Sequence, residues 1–165
     1  MEQKENVSTS STKKFNIITD PEILRKPSKD VFDKHEIETV AAELKDVVIN
    51  GPGAIGIAAV QLGKHLNMFL MVTGLDVHPD ITEDQMLIVI NPEIKKVYDK
   101  TVLYKEGCLS EPDITVLTER YKKIKVKFTT LEGRTITTTF TGTDAVVFQH
   151  EYDHLQGILM ADKAV

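Results

Sequence analysis

The chain holds a single cysteine, Cys108. An intramolecular disulfide is therefore impossible, and a small secreted scaffold stapled by disulfides is excluded. No stretch approaches the roughly 18 consecutive apolar residues that a membrane-spanning helix needs. The opening residues, Met1 to Lys14, contain no apolar run and do not read as a secretory signal. They are polar, rich in Ser and Thr, and read as a disordered leader, residues 1–14. Arginine is missing from them, and Glu2 and Glu5 are acidic, which counts against a transit peptide. Excess positive charge is also lacking. The net charge of −5 argues against direct nucleic-acid binding, because phosphate wants a basic face. These absences point to the cytoplasm, with an organelle left open, and to no membrane partner.

What is present suits one globular domain. The chain has 165 residues, and 41% of them are hydrophobic, enough for a real core. There are no internal repeats and no internal boundary, so residues 15–165 read as one domain. Asp20-Pro21 and Lys26-Pro27 punctuate an irregular opening. Ile37, Val40, Ala41, Leu44, Val47 and Val48 follow helical spacing, which predicts a helix from His35 to about Ile49. Asp33 is its expected cap, and Gly51-Pro52-Gly53 stops it. Phe69 to Val72 and Leu87 to Ile90 read as buried strands, the second ended by Asn91-Pro92. Lys122 to Thr129 and Thr135 to Thr141 alternate as a hairpin. Lys122, Lys123, Lys125 and Lys127 read as its solvated face. A last helix is expected from Thr143, as N-cap, to Gln156, with Gly157 as the stop. The fold class is α+β. His35, His65 and His78 lie in polar stretches and read as surface residues.

The chemistry is concentrated in Gln149-His150-Glu151-Tyr152-Asp153-His154. On a helix His150 and His154 stand one turn apart on one face and can grip one metal ion. Glu151 can sit beside the open coordination position as a general base. This is the H-E-x-x-H arrangement of metal-assisted hydrolysis. Two histidines are too few for a stable site, and three protein ligands with one open position are usual. Beyond His154 the sole acid is Asp162. The third ligand is therefore sought upstream, where Cys108 stands out within Glu106-Gly107-Cys108-Leu109-Ser110. A thiolate is a strong ligand, and Gly107 would allow close backbone approach.

Three segments together resemble the peptide deformylases: Gly56-Ile57-Ala58-Ala59-Val60-Gln61, Glu106 to Ser110, and Gln149 to Gly157. They stand in the family's order, and weaker similarity runs from about Ile18 to the C-terminus. The resemblance implies an α+β fold in which antiparallel strands wrap around a C-terminal helix carrying the H-E-x-x-H motif. It implies removal of the formyl group from the N-terminal formylmethionine of new polypeptides. Cys108, His150 and His154 would be the metal ligands. The ion would be one divalent metal per chain, natively iron(II), with zinc, nickel or cobalt as substitutes. Glu151 would carry the proton. The Gln61 amide and the Leu109 backbone N–H would serve the oxyanion. Ile55 and Gly56 would bind the peptide as an added strand, and Val146 and Val147 would line the methionine pocket. Glu106 and Arg120 would form a buried pair steadying the Cys108 loop. The partners implied are N-formylmethionyl peptides, and transient ribosome association stays open.

The chain departs from the family's pattern at Ala54, usually Gly, and at Val60, commonly Pro. Glu111 and Thr115 replace an often apolar residue and a frequent Arg. By the resemblance these two flank the cleft, so they bear on peptide preference rather than on chemistry. Two other readings are open: an H-E-x-x-H metallopeptidase cleaving internal bonds, and a non-catalytic peptide-binding relative. Cys108 and the missing downstream ligand count against the first. The full set of expected catalytic side chains counts against the second.

Overall fold

The computed structural model describes residues 14–165, so the leader expected at residues 1–14 lies outside them except for Lys14. Helix α1 (Pro21–Leu24) is one turn, started by Asp20, whose side chain accepts the Glu22 N–H. The opening expected to be irregular thus contains a capped turn. Helix α2 (Lys34–Asn50) begins where Asp33 accepts the Glu36 N–H at 2.7 Å. Its buried residues, Val40, Ala41, Leu44, Val47 and Val48, are the apolar stripe of the sequence.

Strands β1 (Gly56–Ala58), β2 (Met68–Val72), β3 (Met86–Val97), β6 (Lys123–Thr129) and β7 (Thr135–Thr141) form one antiparallel sheet in the order β1-β2-β3-β6-β7. Strands β4 (Thr101–Cys108) and β5 (Glu111–Tyr121) form a separate hairpin. The sequence reading had not identified β1, β4 or β5. Nor does Asn91-Pro92 end β3, as expected from proline's missing donor. The strand runs on to Val97 through register shifts between Ile90 and Glu93 and between Ile94 and Lys96. At a bulge the ladder bond that proline cannot make is not required. Asn91 takes φ +49°, and its side chain holds Val31 through both backbone groups, at 3.0 and 2.9 Å.

Helix α3 (Gly142–Leu155) packs against strands of both sheets. The architecture is therefore the α+β arrangement of antiparallel strands around a C-terminal helix. One apolar cluster joins Phe148 and Val147 of α3 to Phe69, Ile124, Val126 and Phe128; a second lies between α2 and the sheet. Phe69 meets Phe148 edge to face at 5.2 Å, a favoured aromatic geometry. The expected Thr143 cap is not the N-cap. The N-cap lies two residues earlier, at Thr141, whose side chain makes no cap bond. Asp76 substitutes from a distant loop, accepting the Thr143 N–H and hydroxyl at 3.1 and 2.6 Å. Sequence spacing cannot reveal such a cap, because the donor and acceptor lie 67 residues apart.

Gly157 ends α3 in the left-handed conformation, φ +75°. A Cβ there would stand 2.3 Å from the Arg25 carbonyl oxygen, a backbone atom that cannot swing away. Gly157→Ala is expected to destabilise the protein by more than about 1 kcal/mol. A denaturant titration with an unchanged midpoint would show that the turn tolerates a side chain.

Candidate metal centre

Two elements deliver three soft or borderline donors to one point. Helical spacing puts His150 and His154 on the same face of α3, with ring centroids 5.1 Å apart. Cys108 arrives at the end of β4, where the ladder shifts register between Gly107 and Cys108 before the turn Leu109-Ser110. Such a shift re-aims a side chain. The Cys108 Sγ lies 3.4 Å from His154 Nε2. One donor atom from each of Cys108, His150 and His154 falls within 4.8 Å of the others. The sequence-predicted trio is thus together in space. Gly107 has a different role from the one expected: a Cβ there would meet nothing closer than 3.9 Å, so no close backbone approach demands glycine.

The surroundings orient the trio. Glu106 Oε1 faces His150 Nδ1 at 2.7 Å, which leaves Nε2 for a ligand. Arg120 donates to both Glu106 oxygens, at 2.8 and 2.9 Å, and the Thr118 hydroxyl also donates to Glu106. Arg120 reaches Asp153 as well, at 2.5 Å. The expected Glu106–Arg120 pair is present and buried, at 5% and 4% exposure. Burial favours protonation of Glu106, but hydrogen bonds from His150, Arg120 and Thr118 outweigh it and hold the carboxyl down at about 2. Thr118 and Asp153 were missed from sequence. Asp153 lay in plain view between the histidines, and only its contact with β5 gives it a role.

Glu151 is fully enclosed, and burial pushes its carboxyl up to about 7. Its Oε1 lies 3.9 Å from His150 Nε2, and its Oε2 is buried with no hydrogen-bond partner among the described residues. Gly56 explains how it fits. A Cβ on Gly56 would come within 2.5 Å of Glu151 Oε1 and 3.0 Å of its Cγ and Cδ. Glycine in the first motif is therefore required by the glutamate of the third.

Gln61 is buried on a 3₁₀ turn, Ala59–Leu62, directly after β1. Its Oε1 accepts the Ala58 N–H at 2.9 Å, which aims Nε2 at Ser110 Oγ (3.0 Å) and Cys108 Sγ (3.6 Å). Leu109 stands beside it in the turn, half-buried. Ile55 and Gly56 lie at β1, the edge strand of the large sheet, and both are half-buried. Val146 and Val147 are buried, at 2% and 5% exposure; Val147 joins the main core, and Val146 belongs to neither apolar cluster. Gln149 fastens α3 to β5: its side chain bonds both backbone groups of Tyr121, at 2.9 and 2.8 Å. His35 and His78 are exposed; His65 is half-buried, with Nε2 2.9 Å from the Ile23 carbonyl.

The donor set fits a metal ion. One thiol and two imidazoles suit zinc and iron. The two imidazoles respond oppositely to their positions. For His150, burial opposes charge, but Cys108 and Glu106 outweigh it and raise the ring to about 10. For His154, burial and the neighbouring His150 lower it to about 3. His154 is buried and His150 half-buried beside one thiol, the environment of a ligand set rather than of surface histidines.

The polypeptide deformylase family model matches residues 13–165. A peptide deformylase of Aquifex aeolicus is 39% identical over 150 residues, covering 89% of this chain and 85% of that protein. A chloroplastic peptide deformylase 1A of Solanum lycopersicum is 32% identical over 155 residues, covering 86% of this chain and 56% of that protein. The crystal structure of the Thermotoga maritima peptide deformylase superposes with a TM-score of 0.79 at 33% identity, covering 92% of this chain and 97% of that one.

Removing the carboxylate that orients His150 should loosen the centre without touching a ligand. Glu106→Ala is expected to weaken zinc binding about 10- to 100-fold. Competition with a chromophoric chelator measures it, and an unchanged affinity would mean that His150 is held by other contacts.

Proposed function

The chain belongs to the polypeptide deformylase family, and from that membership we propose how its residues carry out the reaction. The enzyme is a metal-dependent hydrolase that removes the formyl group from the N-terminus of new polypeptides. Cys108, His150 and His154 are the ligands we assign. The observation that carries this assignment is the convergence of Cys108 Sγ with both imidazoles beside a buried Glu151. Residues 15–165 act as a single catalytic domain in this reading.

A divalent ion held there supplies Lewis acidity and makes water a better nucleophile near neutral pH. The remaining work falls to the chain. Glu151 takes the proton of the attacking water and delivers it to the leaving nitrogen. A carboxyl raised toward neutrality by burial is matched to that exchange, because it can accept and release a proton at the same pH. The Gln61 amide and the Leu109 backbone N–H are the donors we assign to the developing oxyanion. The Gln61 side chain is fixed at its carbonyl end by Ala58, so its N–H groups are aimed in advance. The open edge of β1 suits strand addition by an extended peptide, at Ile55 and Gly56. Val146 and Val147, one turn before His150, are the pocket residues proposed for the methionine side chain.

Iron(II) is the ion proposed as native, with zinc, nickel or cobalt able to replace it. The family is metal-dependent, and an S/N/N donor set suits iron and zinc alike. The cytoplasm is the proposed location. Among the described residues no helix is long and apolar enough to cross a membrane. Transient association with the ribosome is proposed as the route to substrate.

The decisive test is formate release from formyl-Met-Ala. Glu151→Gln keeps the shape of the side chain but cannot accept the proton. It is expected to keep its metal and to lose at least about 10²-fold in rate. Near wild-type turnover would remove Glu151 from the proton path.

A further inference from the structure

Helix α2 covers the β1–β3 part of the sheet face opposite α3, whereas on β6 and β7 that face is exposed. Along β6 the side chains alternate strictly. Ile124, Val126 and Phe128 are buried in the cluster that holds Phe148 of α3, while Lys123, Lys125 and Lys127 are exposed. On β7, Thr135, Thr137, Thr139 and Thr141 are exposed, and they stand opposite Thr129, Lys127, Lys125 and Lys123. Strand β3 adds Lys96, directly opposite Lys125. The sequence showed only the lysines of one strand, which read as an ordinary solvated face. Folding adds a like-charged neighbour from a strand about 29 residues away.

Two features set this face apart. Like charges directly opposite across strands are destabilising. Yet among the described residues none of Lys96, Lys123, Lys125 and Lys127 is in an ion pair, although acids outnumber bases in the chain. Glu93, opposite Lys127, pairs instead with Lys95 at 3.8 Å. The ammonium groups of Lys96 and Lys123 both converge on the Tyr98 ring, at 4.6 and 4.5 Å from its centroid.

We propose that this face, Lys96, Lys123, Lys125 and Lys127 with the threonines of β7, is a docking surface for the phosphate backbone of double-helical RNA. The proposal rests on the reading of new polypeptides as substrates, since these are presented on an RNA-rich particle. Unpaired cations at strand spacing match a line of phosphates, and the threonine hydroxyls add donors for phosphate and sugar oxygens. Duplex recognition fits better than single-strand recognition. Single strands are held by aromatic rings on which bases stack, and the one ring here is already engaged by two ammonium groups. A lipid surface fits less well, because the face offers no apolar side chain to insert. The net charge of −5, which argues against nucleic-acid binding, describes the whole chain, whereas this face sets Lys123, Lys125 and Lys127 beside exposed threonines. The face also lies on the opposite side of the sheet from α3, so docking leaves the metal centre open to the peptide.

The test is fluorescence anisotropy with a labelled RNA duplex of about 16 base pairs, titrated with the full chain at several salt concentrations. The K96Q/K123Q/K125Q/K127Q variant is compared with the K26Q/K29Q/K34Q/K64Q variant, which makes the same charge change elsewhere. The wild type and the control should bind with the same steep salt dependence. The face variant should bind at least about 10-fold more weakly, its log–log salt slope reduced by about one per lysine. A single K125E substitution, which removes the opposed pair within the protein and places a negative charge toward the phosphates, should weaken binding in the same direction. Equal binding by both quadruple variants, or no binding by the wild type, would overturn the proposal. So would binding to anionic phospholipid vesicles without binding to RNA. Formate release from free formyl-Met-Ala should be unchanged in the face variant. A fall there would place the face in the catalytic machinery instead, whereas a wild type inactive on that peptide would count against the catalytic reading alone.

Discussion

Glu106 is the junction on which the candidate metal centre depends. One carboxylate accepts from Arg120 twice, from Thr118 and from His150. These partners lie on β5 and α3, and Glu106 itself lies on β4. A buried charge of this kind is costly when any partner is missing and tolerable when every lone pair is used. Here the oxygens are saturated, and Arg120 passes on to Asp153. The hairpin that carries Cys108 and the helix that carries both histidines are thereby locked in one relative position. The position of the thiol relative to the imidazoles follows from that lock.

A second constraint runs between the first and third motifs. Burial shifts the Glu151 carboxyl upward and one of its oxygens has no partner among the described residues, both of which the proposed proton transfer requires. Gly56 provides both, because its missing side chain lets the carboxylate lie against the β1 backbone. The same backbone is the open sheet edge proposed to receive the peptide. The proton carrier and the substrate strand that we propose are therefore neighbours, the proximity that catalysis requires.

Helices α2 and α3 and the β6–β7 hairpin were legible because their apolar spacing is regular, as from Val40 to Val48 and from Ile124 to Phe140, whereas the single turn of α1 was not. The His150–His154 face followed from helical spacing alone. Cys108 could be suspected from the donor count, but only the β4–β5 register places its sulfur beside His154. The short strand β1 carries no periodicity to read in three residues. Strand β3 was cut short at Asn91-Pro92 because proline's preference is local, whereas Asn91 is held by Val31, sixty residues away. Asp76, Thr118 and Asp153 share this character. Each acts through a partner distant in sequence, so no window along the chain shows what it does. The cationic face is a further case, since Lys96 meets Lys125 only once β3 and β6 pair.

The central claim is that one sulfur and two imidazole nitrogens hold the catalytic ion. X-ray absorption at the metal edge of the zinc-loaded protein tests it most directly. The expected result is one sulfur at about 2.3 Å and two nitrogens at about 2.0–2.1 Å, with one further light atom. A first coordination sphere containing only nitrogen and oxygen would contradict the role of Cys108.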